Sequence, residues 1–283
     1  MKVLMHVNYC EGPGKLESCF ALADRFGYSG IEFRWRYQFK DLENQEQYKA
    51  KIASLKQKYP HLELVFGGNV RMNRVEPDVT KADIEEFSRF LPWANKECGT
   101  TMMNVQTGAM IAPNGDWRKP GENGSAIATD QDYEDAAKGL RIIGDMAAEL
   151  GMKIALESHG CYLHDIGTSC KKLMDLTAHD AIGINHDQGN IILNPRGEKL
   201  DEVFNLLDGK LYYAHVKNAI IVQGQYVAMP LKYGAIDTPK AIAHYKKINL
   251  PMIATEVPGV GDKLNAARED IEYVNWIFSE LER

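Results

Sequence analysis

The stretch ELGMKIALESHG, residues 149–160, joins the end of a helical pattern to a short apolar run and then to polar residues. Gly151 is the type of residue that ends a helix, because it adopts the left-handed conformation easily. Lys153–Leu156 is a strand-like run, and Glu157 and His159 follow it at once. The order of helix, glycine, buried strand and polar strand end is typical of one unit of a parallel α/β fold.

This order of elements is repeated along the whole chain. Eight short runs rich in Val, Ile, Leu or Met are predicted as strands: Val3–Val7, Gly30–Phe33, Leu62–Phe66, Thr101–Val105, Lys153–Leu156, Ala181–Asn185, Leu211–Val216 and Met252–Thr255. Helices are predicted near residues 15–26, 44–59, 80–97, 130–150, 166–177, 199–207, 238–247 and 263–281. Eight alternations in 283 residues predict an α/β protein, a (β/α)8 TIM barrel that forms a single domain over residues 1–283. A doubly wound open sheet is the alternative, but no GxGxxG motif follows the first strand, so a dinucleotide-binding fold lacks its main support.

The composition argues against several classes of protein. A net charge of −6 does not fit the basic surface of nucleic-acid-binding proteins, and 45% hydrophobic residues are enough for a large core. The five cysteines form no CxxC pair, which indicates free thiols in a reducing compartment. The first residues resemble a strand rather than a signal peptide, and no apolar run has the length of a membrane span. We therefore expect a cytoplasmic protein with no nucleic-acid or membrane partner.

Two predicted connections are longer than those usual in compact domains. They are Thr107–Ala128 and Ala219–Ile236, and each follows a predicted strand. In a TIM barrel such loops lie at the C-terminal mouth, where the active sites of this fold are found. We expect both to be lids or binding loops, and a tolerated surface insertion is the alternative.

Polar residues mark the last four predicted strands at or near their C-terminal ends. They are Glu157, Asp187, His215 and Glu256, at intervals of 30, 28 and 41 residues, each close to one βα unit. A TIM barrel would bring these side chains round one half of its mouth. A single acidic residue at a strand end is more often a helix cap or a surface charge, but four residues in phase on successive strands predict a shared site.

These four side chains have the chemistry of a metal site. Three carboxylates and one imidazole at one place would be costly to bury without a cation. An oxygen-rich set with one nitrogen and no thiolate suits Mn²⁺ best, with Mg²⁺, Co²⁺ and Zn²⁺ as alternatives. The sequence therefore predicts one bound divalent metal ion, which would polarise a carbonyl group of the substrate.

Four segments in order, ELGMKIALESHG, INHDQGN, AHVKN and MIATEVPG, together resemble the xylose-isomerase-like TIM-barrel superfamily. More narrowly, they resemble its sugar isomerase/epimerase branch, which contains D-tagatose 3-epimerase-type enzymes and inosose dehydratases. GYSGIEFRW is similar to the second strand of that group, and PLKYGAID is similar to the segment before its last helix. The resemblance covers nearly the whole chain, and it is more specific for the superfamily than for a substrate.

The resemblance implies a role for each of the four polar residues. The metal ligands would be Glu157, Asp187, His215 and Glu256. Glu157 and Glu256 would also be the acid/base pair, which removes a proton beside a metal-bound carbonyl, forms an enediolate and returns the proton elsewhere. Asn190 stands where many relatives have His, and Asn218 stands where many have Asp. These departures concern the epimerase subtype and leave the four metal positions intact.

Other residues are candidates for catalysis or substrate binding. Residues two apart on a strand share a face, so His159 would face the same way as Glu157 if the strand extends that far. His159 would then be a further acid or base, or a hydrogen-bond partner within the site. Lys217 stands in the same relation to His215 and either contacts a substrate oxygen or pairs with a carboxylate. The predicted substrate-binding residues are His6, Gln106, Lys217, Asn190 and Trp117.

Two activities fit this set of residues. The first is a sugar or keto-sugar isomerase or epimerase. The second is a metal-dependent keto-sugar lyase or dehydratase, of the inosose dehydratase kind or one that cleaves 3-keto-glycosides, for which His159 would suit a separate acid or base. An endonuclease IV-like nuclease is a remote alternative, because it needs histidines that the third and fourth strand ends lack, and a sugar-binding barrel without activity is another. The expected partner is a small carbohydrate, and the sequence leaves homo-oligomerisation open.

Overall fold

The computed structural model describes residues 1–10, 15–37, 39, 42–223, 225–256 and 261–283, with Gln225 described by its backbone alone. Eight strands form one closed parallel sheet in the order β1-β10-β7-β6-β5-β4-β3-β2. Their bounds are β1 Lys2–His6, β2 Gly30–Arg34, β3 Glu63–Asn69, β4 Met102–Gln106, β5 Lys153–Glu157, β6 Ile182–Asp187, β7 Leu211–Val216 and β10 Met252–Thr255. The predicted TIM barrel is confirmed, and each predicted strand coincides with an observed one to within three residues at either end.

Helices follow the barrel strands along the chain. They are α1 Leu16–Phe26, α2 Gln45–Lys58, α3 Pro77–Cys98, α4 Asp130–Glu149, α5 Gly167–Thr177, α6 Gln188–Ile192, α7 Leu200–Leu206, α8 Thr238–Lys247 and α9 Lys263–Leu281. The sequence pattern did not predict α6, which has only five residues and directly follows β6. No helix in the described part of the chain combines the length and the apolar character that a membrane crossing requires.

The ends of α4 show how local sequence sets an element. Thr129 and Asp132 form a capping box, in which each side chain accepts a hydrogen bond from the backbone N–H of the other residue. At the other end Gly151 has a φ of 66°. Its N–H donates to the carbonyl of Ala148 at 3.0 Å, and the N–H of Met152 donates to that of Ala147 at 2.8 Å. This is the pair of bonds of a Schellman motif, so Gly151 ends the helix as predicted.

The contacts divide the described chain into two compact units. The first comprises Met1–Phe66, Glu97–Gly99 and His215–Arg283, and the second comprises Gly67–Lys96 and Thr100–Ala214. In the first unit β1 pairs with β2 and with β10, and His6 lies opposite Glu32. In the second unit β5 pairs with β4 and with β6. The single domain over residues 1–283 stays a prediction.

The connection after β7, in the first unit, contains an antiparallel hairpin of β8 (Asn218–Val222) and β9 (Gln225–Met229). The base of the hairpin is held by Asn218, whose amide donates to the carbonyls of Leu231 and Ile236, both at 2.9 Å. Its Oδ1 accepts from the N–H groups of Ala219 and Ile236, also at 2.9 Å. A Cβ at Gly234 would lie 2.0 Å from Oδ1 of Asn218, so a side chain at position 234 would disrupt these hydrogen bonds of Asn218.

The long connection after β4, in the second unit, is held by one buried amide. Nδ2 of Asn123 donates to the carbonyls of Asp116 and Lys119, both at 2.9 Å, and Oδ1 accepts from the N–H of Ala112 at 2.9 Å. The N–H of Met110 donates to the carbonyl of Cys161 at 2.7 Å, which attaches this connection to the one after β5. The connection is therefore an ordered segment with defined contacts.

Candidate active site

The first unit places four buried polar side chains at or near the C-terminal ends of barrel strands. His6 ends β1, Glu32 lies in β2, His215 lies in β7, and Glu256 directly follows β10. Their exposed fractions are 4%, 0%, 0% and 7%. Charged groups are seldom buried without partners, so the hydrogen bonds of this cluster decide what it can do. Residues 257–259 of the MIATEVPG segment lie outside the described residues.

Both carboxylate oxygens of Glu256 accept hydrogen bonds. Its Oε1 accepts from Nδ2 of Asn8 at 2.6 Å, and its Oε2 accepts from Nζ of Lys217 at 3.1 Å. Burial alone would raise the pKa of the Glu256 carboxyl, but the charge of Lys217 holds this pKa well below its usual range. Glu256 is therefore an ionised carboxylate whose orientation is set by an amide and an ammonium group.

The two imidazoles of the cluster, His6 and His215, pack edge-on with ring centroids 5.4 Å apart, and both approach Glu32. Nε2 of His215 lies 2.6 Å from Oε2 of Glu32, and Nε2 of His6 lies 3.8 Å from Oε1. Nδ1 of His6 accepts a hydrogen bond from the backbone N–H of Asn8 at 3.2 Å. Burial lowers the pKa of His6, although Glu256 and Glu32 oppose that change, so this imidazole is neutral with its proton on Nε2.

The first unit fits a divalent cation by its donor atoms. Nδ1 of His215 lies 3.4 Å from Oε2 of Glu256. Two ligands that each bind one ion at about 2.1 Å, at octahedral or tetrahedral angles, lie roughly 3.0–3.4 Å apart. The observed separation therefore suits an imidazole and a carboxylate that share an ion.

In the second unit, Glu157 ends β5 and its carboxylate is held by two side-chain amides. Its Oε2 accepts from Nδ2 of Asn104 at 2.9 Å and from Nε2 of Gln106. Asn104 in turn accepts from Nδ2 of Asn185 at 3.1 Å. Gln106, a predicted substrate contact, thus already contacts Glu157, and Glu157 is 4% exposed.

Asp187 ends β6 and begins α6. Its Oδ1 accepts from the N–H of Asn190 at 2.9 Å, so Asp187 caps the N-terminus of α6. A helix cap is the more common role of a single acidic residue at a strand end. Its own N–H donates to Oγ of Ser158 at 2.9 Å, and Nδ2 of Asn190 donates to the carbonyl of Ser158 at 3.0 Å. Ser158 and Asn190 therefore hold the ends of β5 and β6 together.

His164 is a residue of this region that the sequence pattern did not single out. Its Nε2 accepts from the N–H of Thr107 at 3.3 Å, so the ring proton lies on Nδ1, which contacts the carbonyl of Glu157 at 2.5 Å. Burial lowers the pKa of His164 to about 4. It is a neutral imidazole that bridges the ends of β4 and β5, and no local pattern marks that role.

The other two candidates of the second unit lie outside the strands. Strand β5 ends at Glu157, so the alternation that would turn His159 in the same direction as Glu157 does not extend to it. Nδ1 of His159 lies 2.9 Å from the carbonyl of Gly160, and its ring packs edge-on against Tyr162 with a centroid distance of 5.0 Å. Trp117 is 72% exposed, and its carbonyl accepts a hydrogen bond from Sγ of Cys161 at 3.1 Å.

Comparisons with known proteins give the family context of these residues. An inosose dehydratase of Lacticaseibacillus casei is 31% identical over 96 residues, which cover 32% of this chain and 30% of that protein. The match to an inosose dehydratase of Clostridium perfringens is 26% over 104 residues, or 37% of this chain and 34% of that protein. The chain thus matches only about a third of the length of these curated relatives.

Solved structures are similar over nearly the whole chain at low identity. The IolI protein with a bound zinc atom has a TM-score of 0.77 at 17% identity, covering 99% of this chain and 98% of that one. A xylose isomerase-like TIM barrel protein from Mycobacterium smegmatis in complex with magnesium has a TM-score of 0.76 at 16% identity, covering 99% and 97%. L-ribulose 3-epimerase has a TM-score of 0.75 at 14% identity, covering 100% and 96%. At these identities the likeness shows the fold alone.

The family assignment comes from the sequence itself. The profile of the xylose isomerase-like TIM barrel family matches residues 20–277, which is most of the chain. The closed parallel barrel agrees with this match, and so do the ordered motifs at the strand ends. The chain belongs to the xylose isomerase-like TIM barrel family.

Proposed function

We propose that this protein is an enzyme that depends on one divalent metal ion and acts on a sugar or keto-sugar as an isomerase or epimerase. The observation that carries the proposal is a pair of buried carboxylates at the ends of barrel strands. Glu157 is held by the amides of Asn104 and Gln106, and Glu256 by the amide of Asn8. Buried carboxylates with fixed orientation are typical of metal ligands and of acid/base catalysts.

The proposed metal ligands are Glu157, Asp187, His215 and Glu256. Their strands β5, β6, β7 and β10 are consecutive in the closed sheet. Three carboxylates and one imidazole suit Mn²⁺, which we propose as the native ion, and Mg²⁺, Co²⁺ and Zn²⁺ suit the same donors. Two proteins of the same fold are described with zinc and with magnesium. A bound ion would supply polarisation of the substrate carbonyl.

The proposed roles of the side chains follow from their charge and contacts. Glu157 and Glu256 exchange the proton with the substrate carbon, one removing it and the other returning it. The ion pair with Lys217 keeps Glu256 ionised and therefore able to accept a proton. His159 is proposed as a further acid or base next to Glu157. The residues proposed to bind substrate hydroxyl groups are His6, Gln106, Lys217, Asn190 and Trp117.

A keto-sugar lyase or dehydratase is the second candidate. The matches to inosose dehydratases favour it, although they cover about a third of those proteins. Both reactions begin with removal of a proton beside a carbonyl, and they differ in whether a leaving group departs before the proton returns. A cytoplasmic location and the absence of a nucleic-acid or membrane partner belong to the proposal in both cases.

The test is incubation of the Mn²⁺-loaded protein with a panel of keto-sugars in D₂O. Deuterium in an intact sugar supports an isomerase or epimerase, whereas a dehydrated or cleaved product supports a lyase. If no keto-sugar shows deuterium exchange or gives a product, both candidates are overturned.

Matched variants connect that activity with the proposed residues. Glu157→Gln and Glu256→Gln keep the shape of the side chain and remove its charge, so both should abolish exchange. Glu134→Gln changes an exposed glutamate of α4 and should leave exchange unchanged. Metal analysis after dialysis should find about one ion per chain in the unmodified protein and less in Asp187→Asn. Full exchange in Glu157→Gln and Glu256→Gln, with full metal content in Asp187→Asn, would contradict the assignment.

A further inference from the structure

The carboxylate of Glu32 is approached by both imidazoles of the first unit, His6 and His215. It is completely buried in β2. Nε2 of His215 lies 2.6 Å from its Oε2, which is the length of a strong hydrogen bond to a charged acceptor. A carboxylate accepts and does not donate, so the hydrogen of this bond is carried by Nε2 of His215.

The tautomer of His215 decides which of its nitrogens is able to bind a cation. A neutral imidazole carries one hydrogen, so a hydrogen on Nε2 leaves the lone pair on Nδ1. Nδ1 is also the nitrogen that faces Glu256, with Oε2 at 3.4 Å. The hydrogen bond to Glu32 and the direction of the metal-binding nitrogen are thus two consequences of one ring orientation.

The alternative is that His6, Glu32 and His215 are themselves metal ligands, since their donor atoms all lie within 4.8 Å of one another. The distances argue against this alternative. A separation of 2.6 Å between Nε2 of His215 and Oε2 of Glu32 is shorter than the roughly 3.0–3.4 Å between two ligands of one ion. His6 carries its proton on Nε2, because its Nδ1 accepts from the N–H of Asn8, and a protonated nitrogen does not bind a cation.

We propose that Glu32 is a positioning residue that holds His215 in its Nε2–H tautomer and thereby presents Nδ1 as the metal-binding nitrogen. The metal half of this inference rests on the proposed function above. A carboxylate that accepts from the outer N–H of a ligand imidazole both fixes the ring and makes its other nitrogen a stronger ligand. His6, with its proton also directed at Glu32, adds a second and longer contact to the same carboxylate.

The first measurement uses the metal-free protein. Imidazole ¹⁵N spectra of histidine-labelled protein at pH 8 report the tautomer, and the signal of His215 is identified by its absence in His215→Asn. We expect the Nε2–H form in the unmodified protein. In Glu32→Gln the new amide is able to donate to Nε2, so the Nδ1–H form should appear. A His215 in the Nδ1–H form in the unmodified protein, or no change in Glu32→Gln, would overturn the inference.

The second measurement is the dissociation constant for Mn²⁺ by titration calorimetry. Loss of such an outer partner weakens metal binding about 10–100-fold, and Glu32→Gln should show that loss. The control is Glu63→Gln, which changes another strand glutamate of the same unit, one that contacts Lys2, and it should bind Mn²⁺ as the unmodified protein does. Unchanged affinity in Glu32→Gln would overturn the metal half of the inference.

The two measurements separate this inference from the proposed function. If the unmodified protein binds no divalent ion, the proposed function and the metal half fail together, and the tautomer measured without metal shows whether Glu32 still orients His215. If the unmodified protein binds Mn²⁺ but Glu32→Gln changes neither tautomer nor affinity, only the role of Glu32 is wrong.

Discussion

Nζ of Lys217 lies 3.1 Å from Oε2 of Glu256, and both side chains are buried. Nδ2 of Asn8 binds the other oxygen of the same carboxylate at 2.6 Å. The ion pair is removed from water, so loss of the ammonium group would leave a buried charge without its cation.

We therefore expect Lys217→Met to lower the free energy of unfolding of the metal-free protein by about 3–5 kcal/mol. Urea denaturation measures the change, and added Mn²⁺ should restore part of the loss if Glu256 binds the ion. Lys81→Met, at an exposed position of α3, should change stability by less than about 0.5 kcal/mol. Equal stability of the two variants would show that Lys217 does not compensate Glu256.

The buried His164 predicts a loss of stability in mild acid. Its pKa is about 4 in the folded protein and is near 6.5 in the unfolded chain, so the unfolded chain binds more protons between these values. Stability should fall as the pH falls from 6.5 to about 4, with a contribution of roughly 1.4 kcal/mol per pH unit from this residue. Urea midpoints at pH 7, 5.5 and 4.5 measure it. His164→Phe should be less stable at pH 7 but less sensitive to pH, whereas exposed His61→Gln should retain the full sensitivity.

Asp270 of α9 predicts the opposite dependence on pH. Burial raises its pKa to about 6, and its carboxyl accepts from the hydroxyl of Tyr9 at 2.6 Å and from the N–H of Leu231 at 2.7 Å. Between pH 3.8 and about 6 the folded protein binds the extra proton, so ionisation of Asp270 costs stability as the pH rises. The change in melting temperature caused by Asp270→Asn should therefore be more favourable at pH 8 than at pH 4.5. Thermal unfolding at the two pH values measures this change. A difference that does not depend on pH would contradict this assignment.

The contacts of Asn218 predict that an aspartate is not tolerated at this position. Both hydrogens of its amide are donated to carbonyls, of Leu231 and Ile236, and a carboxylate has no hydrogen to donate. Asn218→Asp should cost about 1–3 kcal/mol and speed amide exchange at Ala219 and Ile236. Asn275→Asp makes the same chemical change at an exposed position in the interior of α9 and should have little effect. Normal protection in Asn218→Asp would mean that the hairpin is held by other contacts.

Local sequence patterns were sufficient for the elements and for several chemical candidates. Apolar runs and helical spacing predict all eight barrel strands, and Gly151 ends α4 with the φ of 66° that glycine favours. Glu157 is recognisable as a strand end because apolar residues stop there, and β5 does end at this residue. The count of eight βα units does not predict the hairpin of β8 and β9, because the hairpin lies within the connection between two of those units.

The sequence by itself determined the class of fold and the polar residues at the strand ends. The reason is that burial makes apolar residues recur at a short, regular spacing along each strand and helix, and that spacing is visible in the sequence. Only the tertiary structure decided what each of these residues contacts. Asn8 binds Glu256 across 248 residues of sequence, and Thr107 binds His164 across 57. Such partners depend on which strands are neighbours and on the tautomer of each imidazole, and no pattern within one segment contains that information.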